Sequence, residues 1–214
     1  GGGGKTTSIY TLAKELSKLG KKVVVTTTTH MHMPEDFIDF KGNVNEIIER
    51  FKSENLITVG IKDRDGKIVE GGEKIAEKLI NLCDFLLIEA DGARMHPLKA
   101  PANYEPVILK NTTMVVGVAG IDSLFKSINK ICHRPEQVCK VLSKNYNHKI
   151  NTKDIANILG SEEGQRKNVK GCFNAKYRAI INKVDNDELL IYAKEICKYL
   201  YENNIKGVIT SYKQ

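Results

Sequence analysis

The sequence predicts an α/β fold in which helices flank a mainly parallel sheet of roughly six or seven strands, giving three layers. Short β-branched and apolar runs alternate along the chain with longer amphipathic stretches, which is the pattern of repeated strand and helix units. Several of these runs end in threonine or acidic residues, and ligands of open α/β sheets collect at such strand ends. The 214 residues suit a single domain spanning residues 1–214.

Composition and charge exclude several classes of protein. The net charge of +7 comes from 33 Lys and Arg against 26 Asp and Glu. The basic residues are mostly lysines spread over many segments without interleaved aromatics, so solvated helix faces are favoured over a nucleic-acid surface. No apolar run approaches the ~20 residues that cross a bilayer. Five cysteines without a C-x-x-C pair favour a reducing, cytoplasmic setting.

The chain opens on a glycine run followed by Lys5 and Thr6, which is the core of a phosphate-binding loop. Consecutive glycines let several backbone N–H groups point at one anion, and a following helix adds its positive end. Lys5 would reach the β- and γ-phosphates and the Thr6 hydroxyl would bind Mg²⁺. The alternative is a glycine-rich linker followed by Lys-Thr by chance. The predicted phosphate-binding residues are Gly2, Gly3, Gly4, Lys5, Thr6 and Thr7.

The context after the loop supports this interpretation. Residues 7–19 predict an amphipathic helix that Gly20 ends, and residues 23–27 predict a buried strand. Phosphate loops normally follow a strand, so we expect the first strand of the fold to precede residue 1.

Thr28, Thr29 and His30 follow strand 23–27, at the edge where ligands are expected. A threonine there could contact Mg²⁺, the γ-phosphate or a substrate, with His30 as a base. A metal pair formed by His30 and His32, or surface histidines without a function, are open alternatives.

An apolar strand over residues 84–88 ends at Glu89 and Asp91, which predicts carboxylates beside the phosphates. We expect Asp91 to be the carboxylate that binds the metal ion. Glu89 is the second candidate for that role, or it would orient the attacking water. The loop that follows carries Arg94, His96 and Lys99, which would face the γ-phosphate or an acidic substrate and could act as a switch.

The sequence Asn182-Lys183-Val184-Asp185 at the end of a predicted strand has the N-K-x-D spacing of guanine-binding loops. The Asp185 carboxylate would accept hydrogen bonds from guanine, Asn182 would fix the loop and Lys183 would cover the ring. Ser211 lies in a second candidate base-contacting loop. GTP is therefore favoured over ATP.

Two further segments complete the expected architecture. Residues 56–61 and 67–70 predict a β-hairpin at the sheet edge. Residues 128–176 are mostly polar and helical, with Pro135 in a first turn and Asn151 or Thr152 as a cap. We interpret them as a helical insertion for a partner or substrate.

Together these motifs resemble the YqeC family, described as accessory proteins of selenium-dependent hydroxylases. The resemblance covers nearly the whole chain, and Lys5, Thr6, Asp91 and Asp185 all match it. The sequence departs from the family at Gly2, where alanine is expected, at 125–127, and in the missing first strand. The stretches that carry the resemblance are 1–7, 26–31, 89–94, 97–99, 117–122, 133–136 and 182–185.

The resemblance implies a phosphate-loop NTPase of the branch that includes metallochaperone GTPases. It also implies a role in maturing molybdenum hydroxylases, with the client enzyme or its cofactor-maturation proteins as partners and a homodimer as an open alternative. We hypothesise Mg²⁺-dependent hydrolysis of GTP or ATP, in which Lys5, Glu89 and Asp91 act. Two alternatives stay open. One is transfer to a pterin-type or other anionic small molecule, and the other is a nucleotide-gated carrier that uses Cys132, Cys139 and His133.

Overall fold

The computed structural model describes residues 2–29, 37–40, 43–62, 68–69 and 72–212. It divides the chain into two compact units. Unit 1 comprises Gly1–Lys5 and Ala93–Gln214, and unit 2 comprises Thr6–Gly92. Both units contain parallel strands and helices, so the predicted α/β class with mostly parallel pairing is confirmed.

Unit 2 is built on a five-stranded sheet. The strands β1 (Val23–Thr27), β2 (Ile38–Asp39), β3 (Leu56–Lys62) and β5 (Phe85–Glu89) form the order β2-β3-β1-β5, and all of these pairs are parallel. The strand β4 (Ile68–Val69) pairs with β3 in the antiparallel sense, as the predicted hairpin requires. The turn predicted between them lies outside the described residues.

Within the residues that the structure describes, three helices accompany this sheet: α1 (Lys5–Lys18), α2 (Asn45–Arg50) and α3 (Gly72–Ile80). The α1 helix ends where predicted, because Gly20 adopts φ +75°, a conformation that glycine accepts without strain. Ala13 packs with Val23 and Val25 in a buried cluster. Ile9 and Leu16 of α1 pack against this cluster, whereas Leu12 is exposed.

Unit 1 contains a three-stranded parallel sheet of order β10-β9-β7. Its strands are β7 (Met114–Gly120), β9 (Lys176–Asn182) and β10 (Lys206–Ile209). The amide of Gln165 bridges the backbone of Val118 by accepting from its N–H at 2.8 Å and donating to its C=O at 3.1 Å. A separate two-stranded parallel ladder joins β6 (Leu98–Lys99) to β8 (Cys132–His133).

The helices of unit 1 are α4 (Ile128–Ile131), α5 (Pro135–Leu142), α6 (Thr152–Gly160) and α7 (Asp187–Glu202). Asn151 caps α6 in a reciprocal box with Asp154, as predicted. The segment 128–176 is mostly helical but includes β8. Its Ile128, Ile155 and Leu159 lie in the same buried cluster as Ala179 and Ile181 of β9. These helices therefore form part of the core of unit 1.

The strands belong to separate sheets in the two units, whereas the sequence predicted one sheet of six or seven strands. Apolar periodicity locates each strand, but it carries no information about which strand is its neighbour. Among the described residues, no helix is both long and apolar enough to cross a bilayer.

Candidate functional site

The glycine loop is packed inside unit 1 by two other segments. A side chain on Gly2 would collide with the backbone carbonyl of Met95, and a Cβ on Gly3 would lie 2.9 Å from the oxygen of Pro97. Gly4 has φ +90°, and a side chain there would overlap the amide of Asn182. Glycine is therefore required at all three positions by close approach of neighbouring groups. This includes Gly2, the position where alanine was expected.

Asn182 fixes this loop from the end of β9. Its Nδ2 donates to the carbonyl oxygen of Gly3 at 3.2 Å, and its Oδ1 accepts from the Thr210 hydroxyl at 3.0 Å. The side chain is only 3% exposed, so both bonds are shielded from water. Asn182, which was predicted to fix the base-contacting loop, therefore also contacts the glycine loop.

The other residues of the N-K-x-D motif are held by specific partners. Lys183 has φ +65°, and its Nζ donates to Asp122 Oδ2 at 2.7 Å. The Ser211 hydroxyl donates to Asp185 Oδ1 at 2.6 Å. The structure therefore brings Asp185 and Ser211 together, and both belong to the predicted base-reading set.

In unit 2, the helix α1 begins at Lys5 and continues directly into Thr6. The Thr6 hydroxyl donates to Oε2 of Glu89 at 2.8 Å. Glu89 is the last residue of β5 and is 5% exposed. This contact joins the threonine of the motif to a buried carboxylate 83 residues away.

The backbone of Glu89 is also anchored. Its carbonyl oxygen accepts from the Thr27 hydroxyl at 2.9 Å and from the Thr28 N–H at 3.1 Å. The hydroxyl of Thr27 in turn accepts from the Thr29 N–H at 3.0 Å. The threonine cluster after β1 therefore positions the strand end that carries Glu89, and Thr28 itself is buried. His30 and His32, predicted as a base or metal pair, lie outside the described residues.

Glu89, which the sequence placed second, is the carboxylate that meets Thr6. Two oxygens at 2.8 Å offer the hard ligands that Mg²⁺ prefers. Asp91 is half-buried and lies two residues beyond the end of β5, so its role as a metal ligand stays a prediction. Among the described residues, no group of three or more His, Cys, Asp or Glu is arranged to hold a metal.

The basic residues Arg94, His96 and Lys99 of the loop after β5 differ in their exposure and in their contacts. Arg94 is exposed with φ +43°, and Met95 follows at φ +65°. His96 is half-buried and its ring lies 6.0 Å from that of His133. Lys99 is fully buried on β6 and donates to Glu105 at 2.6 Å.

Sequence reasoning did not connect Glu105 and Arg134 to this loop. Arg134 also donates to the Glu105 carboxylate, so that carboxylate joins two cations. A charged pair 29 residues apart has no local pattern, and only the β6–β8 pairing brings it together. His133 and Arg134 entered the sequence analysis through the family resemblance or as cargo candidates.

The chain belongs to the YqeC family, because the model of that family, described as "YqeC protein", matches residues 1–136. It is also 28% identical over 223 aligned residues to the Escherichia coli (strain K12) protein named "Uncharacterized protein YqeC". That alignment covers 97% of this chain and 83% of the relative. No solved structure matches the chain.

Proposed function

We propose that this YqeC-family chain is a phosphate-loop NTPase that binds and hydrolyses a nucleoside triphosphate, with GTP favoured. The observation that carries the proposal is the 2.8 Å hydrogen bond from Thr6 to buried Glu89, directly after the glycine loop and Lys5 in the chain. A threonine hydroxyl and a strand-end carboxylate are the protein groups that phosphoryl-transfer sites of this class use.

Each residue then has a distinct role. The N–H groups of Gly2–Gly4 and the Lys5 ammonium would stabilise the negative charge on the β- and γ-phosphates. Thr6 and Glu89, with Asp91 as the further candidate, would hold Mg²⁺, which neutralises charge on the transferred phosphoryl group. The Asp185 carboxylate would accept hydrogen bonds from the N1–H and the exocyclic amine of guanine.

The pathway part of the proposal rests on the family. We propose that nucleotide turnover supports the maturation of a selenium-dependent molybdenum hydroxylase in the cytoplasm. The five cysteines are free thiols, which is consistent with a reducing compartment.

Replacing Lys5 tests the hydrolysis proposal. Lys5→Ala removes the cation that faces the phosphates, so turnover should fall at least ~100-fold while the fold is retained. The matched control is Lys14→Ala, because Lys14 is exposed on the same helix and carries the same charge. Phosphate release is measured with GTP and Mg²⁺, and the fold is checked by circular dichroism. Full turnover by Lys5→Ala would end the NTPase proposal.

Base selection has its own test. Asp185→Asn replaces an acceptor by an amide, so the preference should shift from GTP toward xanthosine triphosphate. Calorimetric titration with GTP, ATP and xanthosine triphosphate measures this. Tight ATP binding by the unchanged chain, with weak GTP binding, would refute the guanine assignment.

Transfer to an anionic acceptor is the second candidate, and the basic groups near His96 favour it. Phosphate release without any added acceptor supports hydrolysis, whereas strict dependence on an acceptor supports transfer.

A further inference from the structure

The short β6–β8 ladder concentrates basic groups on unit 1. Its parallel register places Lys99 opposite His133. Lys99 is 2% exposed and its Nζ lies 2.6 Å from Oε2 of Glu105. Arg134, the residue after β8, contacts the same carboxylate, and its Nη2 donates to the Tyr104 hydroxyl at 2.9 Å. Glu105 therefore neutralises part of the charge of two cations.

Two histidines and a further arginine adjoin this ion-pair network. The His96 and His133 rings are nearly parallel, with an interplanar angle of 19° and centroids 6.0 Å apart. Burial, followed by the charges of Lys99, Arg134, Arg94 and His96, lowers the pKa of His133 to about 4. Burial and the neighbouring positive charges thus both disfavour a positive charge on His133.

Such surroundings select the sign of a ligand. The three cations Lys99, Arg134 and Arg94 exceed the single negative charge of Glu105, so the net charge repels a metal cation and attracts an anion. Arg94 and His133 carry polar N–H groups that can donate charge-assisted hydrogen bonds to oxyanions. We propose that Arg94, His96 and His133 form a binding site for a tetrahedral oxyanion, either free inorganic phosphate or the phosphoryl group of a second substrate.

A purely structural role accounts for only part of the cluster. The network joins buried Lys99 to partly exposed Glu105 and Arg134, and it can hold β6 and β8 together. It does not require Arg94, whose side chain is exposed. Arg94 and Met95 are consecutive non-glycine residues that both have positive φ. Such backbone strain is concentrated at ligand-binding segments. The same loop packs on Gly2, so the site adjoins the glycine loop within unit 1. The proposal does not depend on nucleotide binding.

Sulfate titration of the full chain tests the site. Sulfate stays a dianion across the pH range used, and binding is followed through the imidazole NMR signals at pH 6. We expect saturable binding that weakens at least ~10-fold in Arg94→Gln and in His133→Gln, since each removes a charge-assisted donor. Lys198→Gln is the matched control, because Lys198 is exposed on α7. It should change the affinity less than ~2-fold, since exposed distant charges are screened.

Bound sulfate should also favour protonation of His133. The affinity of the site for sulfate should rise as the pH falls from 7.5 to 5.5. The reason is that bound sulfate raises the pKa of His133, which is about 4 without the anion. The groups that face His133 are Lys99 from β6, Arg134 from its own segment, and Arg94 and His96 from the preceding loop. His133→Gln should flatten this dependence, and Arg94→Gln should retain its direction.

The remaining outcomes separate the site from the nucleotide site. The sulfate-dependent shift of the His133 imidazole signal should stay saturable when GTP and Mg²⁺ are present, and displacement of that sulfate by the nucleotide would overturn the separate site. Absence of saturable binding, or an equal loss in Lys198→Gln that indicates an adventitious ion only, would also overturn it. Tighter binding of glycerol phosphate than of inorganic phosphate identifies the phosphoryl group of a substrate, and equal binding identifies the free oxyanion.

Discussion

At the scale of single residues, the contact between Thr6 and Glu89 distinguishes two carboxylates that look equivalent in the sequence. Glu89 and Asp91 both follow an apolar strand and both could serve a metal. Glu89 is buried, is the last residue of β5 and accepts a hydrogen bond from the Thr6 hydroxyl. Its backbone carbonyl is held by Thr27 and Thr28. These contacts fix the position of the Glu89 carboxylate, as a preorganised metal ligand would require.

This difference predicts the result of paired substitutions. Glu89→Gln keeps the shape of the side chain but removes its charge, so turnover should fall ~100-fold and the requirement for Mg²⁺ should rise. Asp91→Asn is the matched change at the second candidate. Turnover measured against Mg²⁺ concentration compares the two variants. A larger loss in Asp91→Asn than in Glu89→Gln would restore the order that the sequence suggests.

At the scale of elements, the glycine loop is defined by its neighbours as much as by its own flexibility. Gly4 and Gly20 both adopt positive φ, at +90° and +75°. A Cβ on Gly20 would enter open space, whereas a Cβ on Gly4 would overlap Asn182. The two positions share a conformational demand and differ in packing.

Alanine substitutions at Gly4 and Gly20 therefore distinguish the effect of backbone strain from the effect of displacing Asn182. Gly20→Ala should cost about 1 kcal/mol of stability, the usual penalty of a left-handed alanine, and leave nucleotide affinity intact. Gly4→Ala should cost more and should also weaken nucleotide binding ~10-fold or more, because the Asn182 amide must leave Gly3. Denaturant unfolding and calorimetry provide the two measurements. Equal effects at both positions would contradict the packing explanation.

At the scale of the whole molecule, unit 1 contains ionisable groups whose titration couples to folding. Burial alone would raise the pKa of Glu105, but hydrogen bonds from Lys99 and Arg134 outweigh it and hold the pKa below its usual value of 4.5. The pKa of His133 is lowered from 6.5 to about 4. Glu105 therefore contributes stability that is lost only as the pH falls below 4.5. The His133 effect begins at higher pH.

Stability should accordingly fall between pH 7 and pH 5. The unfolded chain protonates His133 near pH 6.5, whereas the folded chain does not until about pH 4, so protons favour the unfolded state in this window. His133→Gln should have a flatter dependence of melting temperature on pH over the same range. Thermal melts followed by circular dichroism at constant ionic strength measure it. Parallel curves for the two proteins would contradict the assignment.

Much of this architecture could be predicted from the sequence, since strand β1 and strand β3 fall where the apolar runs place them. Gly20, Pro135 and Asn151 each have the terminal role that their conformational preferences indicate. The pairing of strands could not be predicted, because β6 and β8 are two residues long and have no period. The link between Glu105 and Arg134 depends on that pairing, as does the histidine pair.

The two hydrogen bonds of Asn182 also determine when, during synthesis of the chain, the glycine loop can acquire its contacts. The glycine loop is synthesised well before Asn182, because their contact spans 179 positions. Thr210, which steadies that amide, is made later still. A nascent chain therefore carries a glycine loop without these contacts until Asn182 and Thr210 have been made. Under the proposed function, products truncated before residue 182 should therefore bind nucleotide more weakly than the full chain.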